Sequence, residues 1–180
     1  FENYNGNHQG VMIEVNSFKY ASLEDLKEAK RLILLDKIED PHNLGAIIRS
    51  AESFGFDGVI IPEHRSAKVN PTVYKTSAGA INNIKIFMVT NLNQTIETIK
   101  KDGFWVYGLA GESKNSLSAT NLTGKVAIVV GNEGDGISRL VRDNCDELIK
   151  IPMLGKVNSL NASVAAATCM YEVLRQNDFQ

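Results

Sequence analysis

Apolar runs alternate with helical patterns along most of the chain, and this alternation predicts the fold. The runs at 31–35, 58–61 and 126–130 are almost continuously apolar, which is typical of strands buried on both faces of a sheet. Further strands are predicted at 84–89, 104–109 and 148–151. Apolar spacing and turn residues predict helices at 22–29, 44–54, 71–79, 92–99 and 138–144. This order predicts an α/β fold with a mostly parallel sheet and helices on both faces.

The last predicted helix is rich in alanine, and small polar residues mark its start. Apolar residues recur at helical spacing, as expected of a helix on a core: Leu160, Val164, Ala167, Tyr171 and Leu174. The small polar residues at its start are Asn158, Ser159, Asn161 and Ser163. Free amides and small side chains at a helix start can bind a ligand. An N-cap explains the same residues, and this stretch alone does not separate the two interpretations.

A second candidate stretch, Asp36–Gly55, joins a predicted strand to the start of a helix. Open α/β sheets usually bind ligands at such a junction. Asn43 falls near the helix start and is either an N-cap or a functional side chain. Arg49 lies about two turns further on, in the mostly apolar or small run IIRSAES. It is either a solvated surface residue or a cation with an anionic partner, which an arginine in such surroundings usually has.

A third candidate is the glycine-rich loop that follows the strand at 126–130. The stretch Ile128–Ser138 reads IVVGNEGDGIS, with glycines in a G-x-x-G-x-G pattern. This is not the dinucleotide fingerprint G-x-G-x-x-G, and no phosphate-binding Gly-Lys-Ser/Thr follows. Glu133 and Asp135 would repel a phosphate but accept a cationic ligand. The alternative is a flexible acidic turn.

Composition narrows the function classes. The chain has 180 residues and a formal net charge of −2, which argues against binding nucleic acid by bulk charge alone. Cys145 and Cys169 lack zinc-ligand spacing, so we expect no metal and a reducing, cytoplasmic setting. No apolar run approaches the roughly 20 residues that span a bilayer. Residues 1–10 have the composition of a linker, 11–15 could form an edge strand, and 112–123 are expected to be a loop.

Together the three stretches resemble the ordered motifs of the SPOUT superfamily, specifically its TrmH-type RNA ribose 2′-O-methyltransferases. The matching segments are Asp40–Ala51, Val130–Ile137, and Ile151–Met153 with Val157–Ala165. Asn70–Val73 and Ser77–Ala80 also fit, and the resemblance spans roughly residues 30–175. His8–Val11 resembles the segment that follows an N-terminal RNA-binding domain in bacterial members. The resemblance therefore implies a linker remnant at 1–10 and a catalytic domain at 11–180.

The resemblance implies a fold, a cofactor and a set of site residues. The fold would contain a deep C-terminal trefoil knot, although chains in general avoid knots. S-adenosylmethionine would bind there, held by Leu109, Gly131, Ile151, Met153 and Leu160. Arg49 would act on the ribose hydroxyl, as a base activated by an RNA phosphate or as a clamp for the developing alkoxide. The supporting residues would be Asn43, Glu133, Ser159 and Asn161.

The implied partners are RNA and a second copy of the chain, with no membrane and no metal. Large-subunit (23S) ribosomal RNA is the expected substrate, and transfer RNA is the alternative. Loss of catalysis would leave an RNA-binding or ribosome-assembly module of the same fold. A flavodoxin-like nucleotide-binding domain is disfavoured, because the chain lacks phosphate-binding motifs and its glycine loop is acidic.

Overall fold

A computed structural model describes residues 18–178, which form one seven-stranded sheet. Its strands are β1 Arg31–Asp36, β2 Gly58–Pro62, β3 Lys85–Val89, β4 Trp105–Leu109, β5 Asn115–Ser116, β6 Val126–Gly131 and β7 Glu147–Lys150. They lie in the order β3-β2-β1-β6-β4-β7-β5, and every pairing between them is parallel. The predicted parallel α/β fold is confirmed. The predicted edge strand at 11–15 lies outside the described residues.

Within residues 18–178 there are five α-helices: α1 Pro41–Ser53, α2 Pro71–Thr76, α3 Leu92–Lys101, α4 Arg139–Asn144 and, after the last strand, α5 Ala162–Asp178. Shorter 3₁₀ segments occur at Leu23–Glu28, Ala80–Asn82 and Leu117–Ala119. Two predictions need correction here. The helix expected at 22–29 is a 3₁₀ segment capped by Ser22, and the loop expected at 112–123 contains β5 and a 3₁₀ turn.

Helices cover both faces of the sheet, as the apolar strand runs predicted. Ile33 of β1 belongs to the core layer beneath α1, α2 and α5, which includes Ile47 and Met170. The next residue, Leu34, belongs to the opposite layer, with Ile96 of α3. Successive strand side chains point to opposite faces, so a strand in a two-sided core must be apolar throughout.

Helix α1 begins with a side-chain cap. The Asp40 carboxylate accepts the His42 backbone N–H at 2.9 Å, and Pro41 occupies the first turn, where its missing N–H costs nothing. Asn43 is therefore not the N-cap; it lies inside the first turn. Gly55, at a φ of +71°, follows the helix end as predicted.

The apolar face predicted for α5 is not the one it buries. Val164 and Tyr171 are 50% and 48% exposed, whereas Cys169 and Met170 are fully buried. The buried face includes Ala162, Ala165 and Ala166. An alanine-rich helix has small apolar residues on more than one side, and small residues permit the closest approach to the sheet. Spacing alone therefore could not select the buried face.

The two central strands create a crevice at their carboxyl ends. Asp36 of β1 pairs in register with Gly131 of β6. From these ends α1 passes to one face of the sheet and α4 to the other, since their buried residues belong to opposite core layers. The connecting loops diverge, which is the switch-point geometry at which α/β sheets bind ligands. The Asp36 carboxylate accepts the Ser138 N–H at 2.6 Å and ties the two loops together.

No helix within residues 18–178 is both long and apolar enough to cross a bilayer.

Candidate functional site

Three side chains from the three candidate stretches meet in one hydrogen-bonded cluster. Asn161 Nδ2 donates to Glu133 Oε1 at 2.5 Å and to Asn43 Oδ1 at 3.0 Å. Glu133 Oε1 also accepts the Ala162 N–H at 3.2 Å and Asn43 Nδ2 at 3.4 Å. Glu133 and Asn161 follow Asn43 by 90 and 118 positions along the chain, and the fold brings all three together at one carboxylate oxygen.

Local structure holds each member of this cluster in place. Asn43 is fixed by the first turn of α1. The loop that carries Glu133 is organised by Asn132, whose Oδ1 accepts the backbone N–H groups of Gly134 and Asp135 at 2.9 and 2.7 Å. Asn161 Oδ1 accepts the N–H groups of Ser163 and Val164, so this residue caps α5. The capping and functional interpretations of Asn161 are therefore compatible.

A cavity of about 250 Å³ lies beside the cluster, at the carboxyl ends of β4, β6 and β7. The structure places all five predicted cofactor-binding residues in its wall: Leu109, Gly131, Ile151, Met153 and Leu160. Ser159 also lines the cavity. Most of these side chains are apolar, and cavities of this kind bury flat or aliphatic ligand groups.

The glycine at the end of β6 is required by the close approach of two backbone segments. A Cβ at Gly131 would lie 2.0 Å from the Gly136 carbonyl carbon and 2.3 Å from the Ile137 amide nitrogen. Both contacts are to backbone, so no side-chain rotation could relieve them. Gly136 itself has a φ of +66°, which favours glycine. The acidic loop is therefore a tight, shaped turn.

Two charged residues that no motif indicated also line the cavity. Arg142 of α4 forms an ion pair with Glu112, which lies in the loop after β4. The Arg142 Nε–H is buried without an acceptor among the described residues. A buried donor without a partner is costly, so it fits a hydrogen-bond acceptor on a bound ligand. Sequence reasoning missed this pair because neither residue lies in a recognisable motif.

A second cleft, of about 540 Å³, lies on the other side of the cluster. The two spaces share Asn132, Glu133 and Ala162 as common wall. The second cleft is polar and lined chiefly by Lys37, Glu39, Asp40, Asn43 and Asn161. The hydrogen-bonded cluster thus lies between a partly apolar cavity and a polar cleft.

Arg49 is not part of this arrangement within one chain. It is exposed on α1 and lines neither the cavity nor the cleft. The anionic partner expected from its surroundings is not found, because no ion pair or hydrogen bond of Arg49 occurs within residues 18–178. Of the two interpretations of Arg49 that the sequence left open, the single chain therefore shows the solvated surface residue.

The two thiols are unsuited to nucleophilic chemistry. Burial raises the pKa of Cys145 to about 12, and burial does the same to Cys169. Because the thiolate is the reactive form, neither thiol is a ready nucleophile near neutral pH. In the part of the chain that the structure describes, no group of three or more His, Cys, Asp or Glu residues could hold a metal ion.

The sequence pattern of the SpoU rRNA Methylase family matches residues 30–171, a range that contains the cavity, the cluster and Arg49. The chain belongs to this family. Among curated proteins, one from Staphylococcus aureus named as a TrmH family tRNA/rRNA methyltransferase is 49% identical over 181 residues. The match covers 96% of this chain and 72% of that protein. The chain spans only 48% of a tRNA/rRNA methyltransferase from Synechocystis.

Solved structures of the family have the same fold. The SpoU methyltransferase AviRb of Streptomyces viridochromogenes, in complex with the cofactor AdoMet, matches with a TM-score of 0.81 and 26% identity. That match covers 88% of this chain and 65% of AviRb. A structure described as an RNA 2′-O ribose methyltransferase matches with a TM-score of 0.74 and 26% identity, over 91% of this chain and 60% of its own.

The tight turn after β6 leads to a stability prediction. We expect Gly131→Ala to lower the free energy of unfolding by about 1–3 kcal/mol, because the new methyl group collides with backbone. Gly111→Ala is the matched control: Gly111 lines the same cavity, but its Cβ would meet nothing within 4 Å. The control should shift stability by no more than about 0.5 kcal/mol. Urea denaturation followed by circular dichroism measures both, and equal values would contradict the proposed backbone collision.

Proposed function

We propose that this chain methylates the 2′-hydroxyl of a ribose in RNA, with S-adenosylmethionine as methyl donor and large-subunit ribosomal RNA as preferred substrate. The observation that carries the proposal is the partly apolar cavity joined to a polar cleft by the Asn43–Glu133–Asn161 cluster. Membership of the SpoU rRNA Methylase family supports the RNA substrate. The AdoMet complex of AviRb and the 2′-O ribose methyltransferase neighbour support the cofactor and the ribose target.

The residues of the cavity fit this cofactor. Its volume of about 250 Å³ lies just below the roughly 300–1,000 Å³ usual for ligand sites. The apolar side chains of Leu109, Ile151 and Leu160 suit an adenine ring, and Gly131 lets the backbone approach closely. The buried Arg142 Nε–H offers a donor to an acceptor on the ligand. S-adenosylmethionine has no phosphate, so the acidic loop beside the cavity is no obstacle.

The chain's own residues then have distinct tasks in the reaction. The cofactor, when bound, supplies an electrophilic methyl group on a positively charged sulfur. Because a ribose hydroxyl is a weak nucleophile, the protein must polarise it or remove its proton. Glu133 Oε1 accepts hydrogen bonds from Asn43, Asn161 and the Ala162 amide, which fixes both asparagine side chains at the wall of the polar cleft. We assign to these side chains, with Ser159, the positioning of ribose and cofactor.

Arg49 is the residue we assign to the hydroxyl itself. A free guanidinium stays protonated near pH 7. Arg49 therefore acts either as a base after activation by an RNA phosphate, or as a cation that stabilises the developing alkoxide. Since Arg49 lines neither the cavity nor the cleft of its own chain, we propose that it serves the cofactor site of a second copy.

The direct test supplies methyl-labelled S-adenosylmethionine and RNA from cells that lack the protein, with ribosomal and transfer RNA separated. The full-length protein should label large-subunit ribosomal RNA at one site, and the labelled nucleotide should resist alkaline cleavage. Label in transfer RNA would instead identify the tRNA alternative. Cofactor binding with no label in any pool would favour a silent RNA-binding or ribosome-assembly module.

The role of Arg49 predicts a selective loss of turnover. Arg49→Ala should reduce methyl transfer by about 100-fold or more, as loss of a transition-state donor does. Cofactor affinity should change by only a few fold, because Arg49 is assigned to the ribose hydroxyl and not to the cofactor, and it lies outside the cavity of its own chain. Arg139→Ala is the control, since Arg139 is an exposed arginine on α4 outside the three motifs. Near-normal turnover in Arg49→Ala would overturn the assignment.

We further propose that the chain is a homodimer, with a deep trefoil knot in its C-terminal part, as the resemblance implies. An apolar strip on α5, formed by Val164, Ala167 and Tyr171, is left partly or wholly exposed. The strip adjoins α1, since the rings of Tyr171 and Phe54 meet edge to face at 5.9 Å. A subunit docked on this strip would lie beside the helix that carries Arg49.

The proposed dimer predicts that a charge placed on the apolar strip lowers the mass of the protein in solution. Val164→Asp should convert the protein from two chains to one in sedimentation, because a desolvated carboxylate opposes association. Leu140→Asp is the matched control: Leu140 is 72% exposed but lies on α4, on the opposite face of the sheet. A wild-type monomer, or an unchanged mass for Val164→Asp, would contradict the proposed interface.

If each site combines Arg49 of one chain with the cofactor-binding residues of the other, two inactive variants should restore activity in a mixed dimer. Arg49→Ala and Asn161→Ala proteins, each inactive, should recover about a quarter of wild-type turnover after mixing and subunit exchange. Random exchange makes half the dimers mixed, and each mixed dimer has one intact site. No recovery, despite proven subunit exchange, would place Arg49 and the cofactor site in the same chain.

A further inference from the structure

Lys37 adopts a backbone conformation that side chains other than glycine rarely accept. Its φ is +60°, immediately after β1 ends at Asp36. Among residues 18–178 only two other non-glycine residues have positive φ, Arg65 and Ala78. Such conformations persist where the surrounding structure enforces them, and they concentrate at ligand-binding sites.

The position of Lys37 distinguishes it from the other two. It lies at the carboxyl end of β1, in the crevice between the diverging loops, and it lines the polar cleft beside Asn43 and Glu133. Arg65 and Ala78 line neither that cleft nor the apolar cavity. The strained residue at the site is thus a half-buried lysine.

The charges of the cleft make this lysine unusual. Glu39, Asp40 and Glu133 contribute three carboxylates to its wall, and Lys37 is the only cationic side chain among its lining residues. Within the part of the chain that the structure describes, no hydrogen bond or ion pair engages the Lys37 ammonium group. A ribose that enters the cleft brings its phosphates with it, and those phosphates would face a surplus of negative charge.

We propose that Lys37 binds a backbone phosphate of the RNA next to the target ribose, an inference that rests on the proposed function. Its ammonium group offsets the repulsion between that phosphate and the acidic cleft. The left-handed backbone is retained because it keeps the lysine at the cleft. A lysine acts on a phosphate as a point charge, so the contact positions the RNA without reading its sequence.

The decisive variant is Lys37→Gly, which removes the charge and the backbone strain together. We expect RNA to bind about tenfold more weakly, as loss of a hydrogen bond to a charged group implies. The slope of log affinity against log salt should fall in magnitude by about 0.7–0.9, the value for one phosphate contact. The thermal midpoint should stay the same or rise, because glycine accepts positive φ without strain. A merely structural lysine would show the opposite change in stability.

The binding experiment uses full-length protein and deproteinised ribosomal RNA from cells that lack the gene, titrated at several salt concentrations. Lys37→Arg should retain most of the affinity, because it keeps the charge. Lys101→Ala is the control for general charge loss. Lys101 ends α3, which leads into the start of β4, so it lies near the amino-terminal ends of the strands and away from the cleft at their carboxyl ends. This control should leave affinity and S-adenosylmethionine binding unchanged.

The outcomes separate the inference from the proposed function. RNA affinity of Lys37→Gly within twofold of wild type would overturn the inference, even if the wild type methylates RNA normally. A lower thermal midpoint with weaker cofactor binding would also overturn it, because Lys37 would then be structural. If Lys37→Gly shows the predicted changes but the wild type binds RNA without methylating it, the phosphate contact is supported and the proposed reaction is overturned. A wild type that does not bind RNA would overturn both.

Discussion

The site depends on one carboxylate oxygen. Glu133 Oε1 joins the first turn of α1, the loop after β6 and the start of α5 through Asn43, Asn161 and the Ala162 amide. A carboxylate that accepts several N–H donors fixes their relative positions more firmly than neutral pairs would. Without it, the loop after β6 would lose its side-chain hydrogen bonds to the other two segments, which would still meet through the Asn161–Asn43 hydrogen bond. The common wall of the cavity and the cleft rests on this contact.

This wall separates two environments that the proposed reaction needs. On one side lies a partly apolar cavity, proposed to bind the adenine ring, and on the other a polar cleft, proposed to admit the ribose. The sheet produces both by sending α1 and α4 to opposite faces from adjacent strands. Close backbone packing at Gly131 keeps the separating loop thin.

Few positively charged side chains lie near this wall. The chain has a net charge of −2, and its polar cleft is lined by three carboxylates and one lysine. Arg49 stands apart on an exposed surface of α1, close to the helix whose apolar strip is uncovered. If Arg49 meets RNA at the site of a second copy, as proposed, no ion pair within its own chain must first be broken.

The sequence by itself determined the architecture and most of the site. Apolar runs such as 126–130 specify a two-sided parallel sheet, because only apolar strands tolerate burial on both faces. Asn43, Glu133 and Asn161 each lie in a recognisable motif, so the sequence alone indicates them. Only the tertiary structure decided which face of α5 is buried, because its alanines make more than one face apolar. It also brought Glu112 to Arg142 and gave Lys37 its positive φ. Those features depend on where distant backbone segments meet, and local periodicity carries no information about that distance.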